Sequence, residues 1–369
     1  MPRAYFGEML VTPMVSATVD TGALRHNLQI VRRWAPQSRV MAVIKANAYG
    51  HGLVAVARAL AAADAFAVAR VDEGLTLRAA GIQAPTVLLE GVFDREQLDA
   101  AAAARFELVV HTPEQIELLR SAKPGQRFKV WLKLDSGMNR LGFKGAAFDA
   151  AHAALSALES VQSPVNLFTH LASADEPELP TTADQIARFV AATRAMPGER
   201  SIANSAGMLS FSAAQADWVR PGLLLYGVSP IAGAIGADYG LRAVMTLRSH
   251  VIAVKDLAAG EKVGYGGNWT AFRPTRLAVA AVGYGDGYPR NLGSGTPVLV
   301  NGERAGLVGR VSMDMIGIDV SDLKREPRLG DPVILWGEGL PVEEIAVWAD
   351  TIPYELVCGI SQRVAVDLR

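Results

Sequence analysis

The chain has 369 residues, half of them hydrophobic and 20% charged, with 36 Lys and Arg against 37 Asp and Glu. So even a balance gives no electrostatic footprint for nucleic acid or an anionic membrane, and a single cysteine, Cys358, excludes an internal disulfide and any cysteine-rich zinc module. Six histidines without HExxH-type spacing lead to no expected metal site, and the length suits two domains, or one large barrel with a smaller module.

Residues 1–20 show no clean apolar core and no small-residue cleavage site, so no export signal is expected. Residues 40–44 then read as a strand, 53–63 as a helix, 65–69 as a strand and 72–80 as a helix. The stretch 53–68 is the most apolar, but it carries Arg58 and Asp64 and cannot be a spanning helix of about 20 apolar residues. Strand and helix signals continue to alternate at 86–89, 95–104, 108–110, 113–121, 129–134, 147–158, 165–170, 182–195 and 201–203, with a last apolar run at 223–226. One strand and one helix every 25 to 30 residues or so is the signature of βα units. About eight such units fit a closed parallel barrel, with an open doubly wound sheet as the rival.

After residue 240 the helical period vanishes. Residues 244–254, 276–282, 297–300, 305–320 and 332–336 read as strands between Gly, Pro and Asn turns, and only 342–348 reads as a helix. The expected architecture is α/β: a (β/α)8 barrel domain over residues 1–240, followed by a mostly β carboxy-terminal domain over 241–369. A cytoplasmic protein is expected.

The sharpest local feature is VMAVIKANAYGHG at 40–52, a buried strand that ends in Lys45 and turns through Tyr49, Gly50, His51 and Gly52 into a helix. In a parallel barrel the carboxyl ends of the strands carry the chemistry. A lysine held there and partly desolvated has a depressed pKa and becomes a nucleophile for a carbonyl. A lysine snorkelling from a strand end is the plainer alternative, weakened by the crowded polar turn that follows it.

This string resembles the lysine motif of the alanine racemase family, enzymes that depend on pyridoxal 5'-phosphate (PLP) and have the fold-type III architecture. The resemblance continues through KLDSGMNRLG (133–142), THLASAD (169–175), NSA (204–206), RPGLLLYG (220–227), VGYG (263–266), GYGDGYPR (283–290), VSMDM (311–315) and YELVC (354–358). Each motif is weak alone; in the family's order, across both halves of the chain, they are specific. The family's barrel and β domain agree with the two textures found from periodicity.

The resemblance implies that Lys45 carries the cofactor between turnovers and is one acid–base group, with Tyr265 as the second on the opposite face. A phenol with a pKa near 10 needs a neighbour that favours the phenolate, and His170 is implied there. Arg220 is implied to face the pyridine nitrogen; a guanidinium, essentially never deprotonated, donates to that nitrogen and keeps it unprotonated, which discourages side reactions. The implied phosphate cradle is Tyr49, Ser205, Gly222, Leu223 and Tyr354. Arg140 and the backbone near Met313 are implied for the substrate carboxylate, with Asp314 beside it and Tyr284 inside the entrance corridor. Lys133 matches a lysine often carbamylated in this family, whose added carboxylate would hold Arg140. Alone, Tyr265 reads as a packed or surface turn residue, His170 as a core histidine and Arg220 as a surface residue.

The function implied is the interconversion of L- and D-alanine by a homodimer with shared active sites, making D-alanine for peptidoglycan or consuming it. Three other readings share the barrel: a broader amino-acid racemase, a PLP decarboxylase, and a non-catalytic PLP-binding protein. The decarboxylase pattern has an acidic residue in place of Arg220, and the non-catalytic proteins resemble only the first module.

Overall fold

The computed structural model describes residues 13–369, so most of the segment read as lacking an export signal, residues 1–12, lies outside the described residues. The described chain forms two compact units, Asp20–Val244 and the residues up to Val19 joined with Met245–Arg369. The first strand, β1 (Ser16–Val19), therefore falls inside the stretch expected to be barrel but belongs to the other unit.

Eight strands close the barrel: β2 (Arg39–Val43), β3 (Ala65–Val68), β4 (Thr86–Leu88), β5 (Glu107–Val110), β6 (Val130–Lys133), β7 (Asn166–Phe168), β8 (Arg200–Asn204) and β9 (Trp218–Arg220). Each pairs in parallel with the next, and β9 returns to β2, so the rival open sheet does not form. Strands covered on both sides become continuous apolar runs, and β3, Ala-Phe-Ala-Val, is buried at every position. The last strand is not the apolar run 223–226. Pro221 and Gly222 end β9 first, and Leu223–Tyr226 coils into a 3-10 turn closed by Gly227 at φ 78°. Tyr226 is nevertheless a core residue, its hydroxyl donating to Val43 O at 3.1 Å.

A helix over Thr21–Trp34, unmarked by the sequence reading, precedes the barrel. Asp20 caps it by accepting from Ala23 N at 2.9 Å, and Leu24, Leu28 and Val31 form its buried face. Asn27, fully buried on that face, donates to Leu225 O (3.1 Å) and Arg242 O (2.8 Å) and accepts from Arg242 N (2.9 Å). One amide thus ties the start of the barrel unit to its end.

The second unit is an eight-stranded sheet built around the thirteen-residue strand β10 (Met245–Leu257). This strand pairs antiparallel with β1, with Pro332–Trp336 and with Thr275–Ala280. The run expected at 305–320 is two strands, Glu303–Val308 and Ile316–Asp319, and the loop between them carries Met313 and Asp314. A short helix at Pro353–Cys358 was also unmarked; six residues are too few to show a period.

His51, at the start of the helical layer, is 1% exposed. Its Nδ1–H donates to Tyr49 O (2.8 Å) and reaches Ala48 O (3.1 Å), its ring lies 4.6 Å from that of Tyr226, and its Nε2 is buried with no acceptor or donor among the described residues. Burial pulls the imidazole from its ordinary 6.5 down to about 4. The unfolded chain takes up this proton below pH 6.5 while the folded chain refuses it until about pH 4, so acidification across that window costs about 3 kcal/mol of stability. In urea titrations at neutral and mildly acid pH, His51→Gln should lose stability on acidification less steeply than the wild type. Equal slopes would show that His51 is not the buried neutral group.

Candidate active site

The carboxyl ends of the barrel strands bring most of the expected residues to one rim. Lys45 stands just beyond β2, where the last ladder bond, Ile44 N to Ala67 O at 2.9 Å, has already closed, and its side chain is exposed. The chain then makes a left-handed turn: Ala46, Asn47, Ala48 and Tyr49 all lie at φ 53°. For residues with a Cβ this conformation costs roughly 1 kcal/mol or more each, so the turn must be held from outside. Asn47 Oδ1 accepts from Leu53 N (2.9 Å), His51 takes the carbonyl of Tyr49, and Glu73 Oε1 accepts from Ala46 N (2.6 Å).

The turn delivers Tyr49 inward, 8% exposed, with its ring 4.8 Å from that of Tyr226. Its hydroxyl approaches Gly222 so closely that a Cβ there would lie 2.5 Å from it. Gly222 N donates to Ser205 Oγ at 2.9 Å, and Ser205 opens a short helix capped by Asn204, which accepts from Gly207 N at 2.9 Å. Tyr49, Ser205 and Gly222 therefore meet, with the buried Leu223 next in the chain.

Arg220, the last residue of β9, is 3% exposed. Its guanidinium donates to Ser201 Oγ (2.7 Å), Thr169 O (2.6 Å) and Ile202 O (3.1 Å), and it lies over the Phe168 ring at 4.0 Å. Among the described residues no carboxylate pairs with it, and burial pulls it down to about 9, which leaves it charged at neutral pH. Its Nη2 also donates to His170 Nδ1 at 3.4 Å. Burial first, then the charges of Arg220, Lys133, Arg140 and Lys45, hold half-buried His170 well below the usual histidine range. Neutral His170, accepting at Nδ1, carries its proton on Nε2.

Lys133 ends β6, 6% exposed, with Nζ 5.7 Å from the Phe168 ring. Burial, then Arg220 and Arg140, pull its ammonium down to about 8. Arg140 is exposed, in a loop shaped by Asp135, whose Oδ1 accepts from Gly137 N and Asn139 N at 3.0 Å each.

The second unit holds the other expected residues on three loops and a helix. Tyr265 is 70% exposed in a 3-10 turn between Gly264 and Gly266, both at positive φ. Tyr284 and Met313 are exposed on neighbouring loops joined by Tyr284 N to Ser312 O (3.0 Å) and Gly285 N to Met313 O (2.9 Å). Gly283 permits that approach, since a Cβ there would lie 2.2 Å from Ser312 O. Asp314 does not stand free: Arg363 donates to it at 2.8 Å and to buried Asp286 at 2.9 Å. Tyr354 lies on the helix Pro353–Cys358. Sequence reasoning missed Thr169 and Ser201, whose oxygens hold Arg220, together with Arg363 and Glu73. Only Glu73 left a signal, a Glu in the first turn of a helix.

Among the described residues no cluster of His, Cys, Asp or Glu side chains could hold a metal ion, and no helix is long and apolar enough to cross a membrane. The model of the alanine racemase amino-terminal domain matches residues 19–230, and that of the carboxy-terminal domain matches residues 244–367. The chain is 51% identical to the biosynthetic alanine racemase of Escherichia coli K12 over 356 residues, 96% of this chain and 99% of that protein. The crystal structure of the biosynthetic alanine racemase from Pseudomonas aeruginosa superposes with a TM-score of 0.93 at 46% identity, covering 97% of this chain and 100% of that one. A Bartonella henselae alanine racemase with covalently bound pyridoxal phosphate does so at 0.87 and 30% identity, covering 96% and 99%. With both domain models matched and half of its residues identical over nearly its whole length, the chain belongs to the alanine racemase family.

Proposed function

We propose that the protein interconverts L- and D-alanine with pyridoxal 5'-phosphate as cofactor, using Lys45 and Tyr265 as its two acid–base groups. The observation that carries the reading is the gathering of Lys45, Lys133, His170, Ser205 and Arg220 at the carboxyl ends of one barrel's strands, where βα barrels place their chemistry. The residues fit the cofactor. Tyr49 Oη and Ser205 Oγ converge on Gly222, where a side chain would block the approach, and hydroxyls with backbone N–H groups suit a phosphate dianion. Leu223 N and Tyr354 complete the proposed phosphate site. Bound there, the cofactor supplies an electron sink for the pair left on the α-carbon when alanine loses its proton.

Racemisation needs one base on each face of the α-carbon. Lys45 Nζ moves the proton on one face and Tyr265 Oη on the other. Tyr265 works as a base only while a donor stabilises its phenolate. His170 is the donor proposed: Arg220 lies against its Nδ1 and its depressed pKa keeps it neutral, which leaves its Nε2–H free to donate to the phenol. Arg220 keeps its charge without a carboxylate partner; with the cofactor bound it would donate to the ring nitrogen and so limit electron withdrawal. Arg140 and the Met313 backbone receive the substrate carboxylate, and Tyr284 lines the way in. Asp314 acts through Arg363, with which it pairs. Lys133, with an amine pulled down to about 8 between two guanidinium groups, is the site of carbamylation; the change from cation to anion would steady Arg140.

The enzyme works as a cytoplasmic homodimer in which each active site combines Lys45 of one chain with the partner's Tyr265, making D-alanine for peptidoglycan. The exposure of Tyr265, Tyr284 and Met313 supports a shared site, and the biosynthetic names of relatives support the direction. Borohydride reduction of the loaded enzyme and peptide mapping should find the pyridoxyl label on Lys45, and Lys45→Ala should take none; a label on another lysine contradicts the assignment. Lys45→Ala and Tyr265→Ala proteins should each be nearly inactive. Unfolded and refolded together in equal amounts, they should recover about a quarter of wild-type activity, because about half the dimers are mixed and each mixed dimer has one intact site. Exchange of subunits without recovery would place both bases in one chain.

A further inference from the structure

We infer that Glu73 is the positioning residue that holds Lys45 at the barrel rim, by clasping the amide that follows it. This role rests on the reading of Lys45 as the lysine that carries the cofactor.

The ladder between β2 and β3 ends one residue before Lys45, with Ile44 N bonded to Ala67 O. Beyond that point the chain enters four successive residues at φ 53°, a conformation that would relax if released. The turn's own hydrogen bonds begin later, with Ala48 N to Ile44 O (2.9 Å) and Gly50 N to Ala46 O (3.1 Å), so they leave the Ala46 amide uncovered. Glu73 covers it from the neighbouring βα unit at 2.6 Å.

Glu73 is the third residue of the helix Val71–Ala79, and its Oε2 accepts from Ala69 N (2.8 Å) and Arg70 N (3.3 Å) at the end of β3. An ordinary helix cap would use only those local amides. The bond from Oε1 to Ala46 crosses to a different strand end and serves the lysine turn, not the helix. One carboxylate therefore fixes the ends of β2 and β3 to each other at the position of Lys45.

Two other helices carry the same device in neutral form. Gln115 accepts from His111 N (2.8 Å) and donates to Glu90 O (2.9 Å), joining the ends of β4 and β5. Gln185 accepts from Ala172 N (2.9 Å) and donates to His170 O (3.2 Å). Each amide oxygen meets an N–H donor and each NH2 faces an acceptor, Glu90 O for Gln115 and both His170 O and Ser136 Oγ (3.3 Å) for Gln185. At position 73 every partner is an N–H, so an amide would turn its own NH2 against a backbone donor, and only a carboxylate satisfies the site.

The test compares Glu73→Gln and Glu73→Ala with Gln115→Ala, which removes an equivalent staple away from Lys45. Loaded enzymes are dialysed against graded pyridoxal phosphate, the bound fraction is read by absorbance, melting is followed by circular dichroism, and the borohydride label is mapped. Both Glu73 variants should hold the cofactor about tenfold more weakly or worse, the loss of one charge-assisted hydrogen bond, while Gln115→Ala melts earlier at unchanged cofactor affinity. Should Glu73→Ala fail to fold, the isosteric Glu73→Gln carries the comparison. Unchanged affinity in the Glu73 variants with the label still on Lys45, or an equal loss in Gln115→Ala, overturns the role of Glu73 alone. A wild-type label on another lysine overturns the reading of Lys45 and this role with it.

Discussion

The buried guanidinium of Arg220 is the constraint around which the barrel rim is arranged. A charge at 3% exposure must be satisfied, and here the oxygens of Thr169, Ile202 and Ser201 satisfy it where a carboxylate would ordinarily stand. Neutral acceptors leave the positive charge uncancelled. It then acts on its neighbours: after burial it is the next cause that lowers His170 and Lys133, and it makes this rim a place for anions and for lone pairs. One of those oxygens belongs to the residue just after β7 and two to residues within β8, so the same contacts that stabilise the cation also tie β9 to β8 and to the end of β7.

A second constraint is geometric. The four-residue left-handed turn after Lys45 stores strain, and in return it leaves Lys45 exposed and turns Tyr49 inward from one short segment. An ordinary right-handed turn would carry the chain away along the helix that follows. Asn47 within the turn, His51 just after it and Glu73 from the neighbouring unit supply the hydrogen bonds that keep it. Strain at the rim and rigidity in the strands below it are complementary: β2 to β4 are buried almost throughout, so little of the turn's strain can relax into them.

Much of this was legible in the sequence, for reasons that differ by element. The barrel strands are apolar on both faces and the helices between them periodic, so β2 to β8 and their helices appear within a few residues of their expected places. The three-residue strand β9 did not, because a stronger apolar signal at 223–226 followed it, and only the Pro-Gly break shows that the strand had already ended. The run 305–320 hid a loop because Ser312, Met313 and Asp314 continue an alternation that Gly309 and the turn interrupt. The pairing of β1 with β10 joins residues more than two hundred positions apart, which no local pattern can announce. At the barrel rim, motif residues such as Lys45 and Arg220 were legible and the supports of Arg220 were not: Thr169 and Ser201 are ordinary small residues whose oxygens matter only once the strands are side by side.

The central claim is that two separate groups, Lys45 and Tyr265, each serve one face of the substrate. The most direct measurement is the exchange of the α-proton of each alanine enantiomer with deuterated water, followed by NMR, in the wild type and in Tyr265→Phe. The wild type should exchange both enantiomers and interconvert them. With the phenol removed and Lys45 intact, exchange should persist in one enantiomer only, without inversion. Exchange of both at comparable rates in Tyr265→Phe would mean that a single group serves both faces, and the two-base account would be wrong.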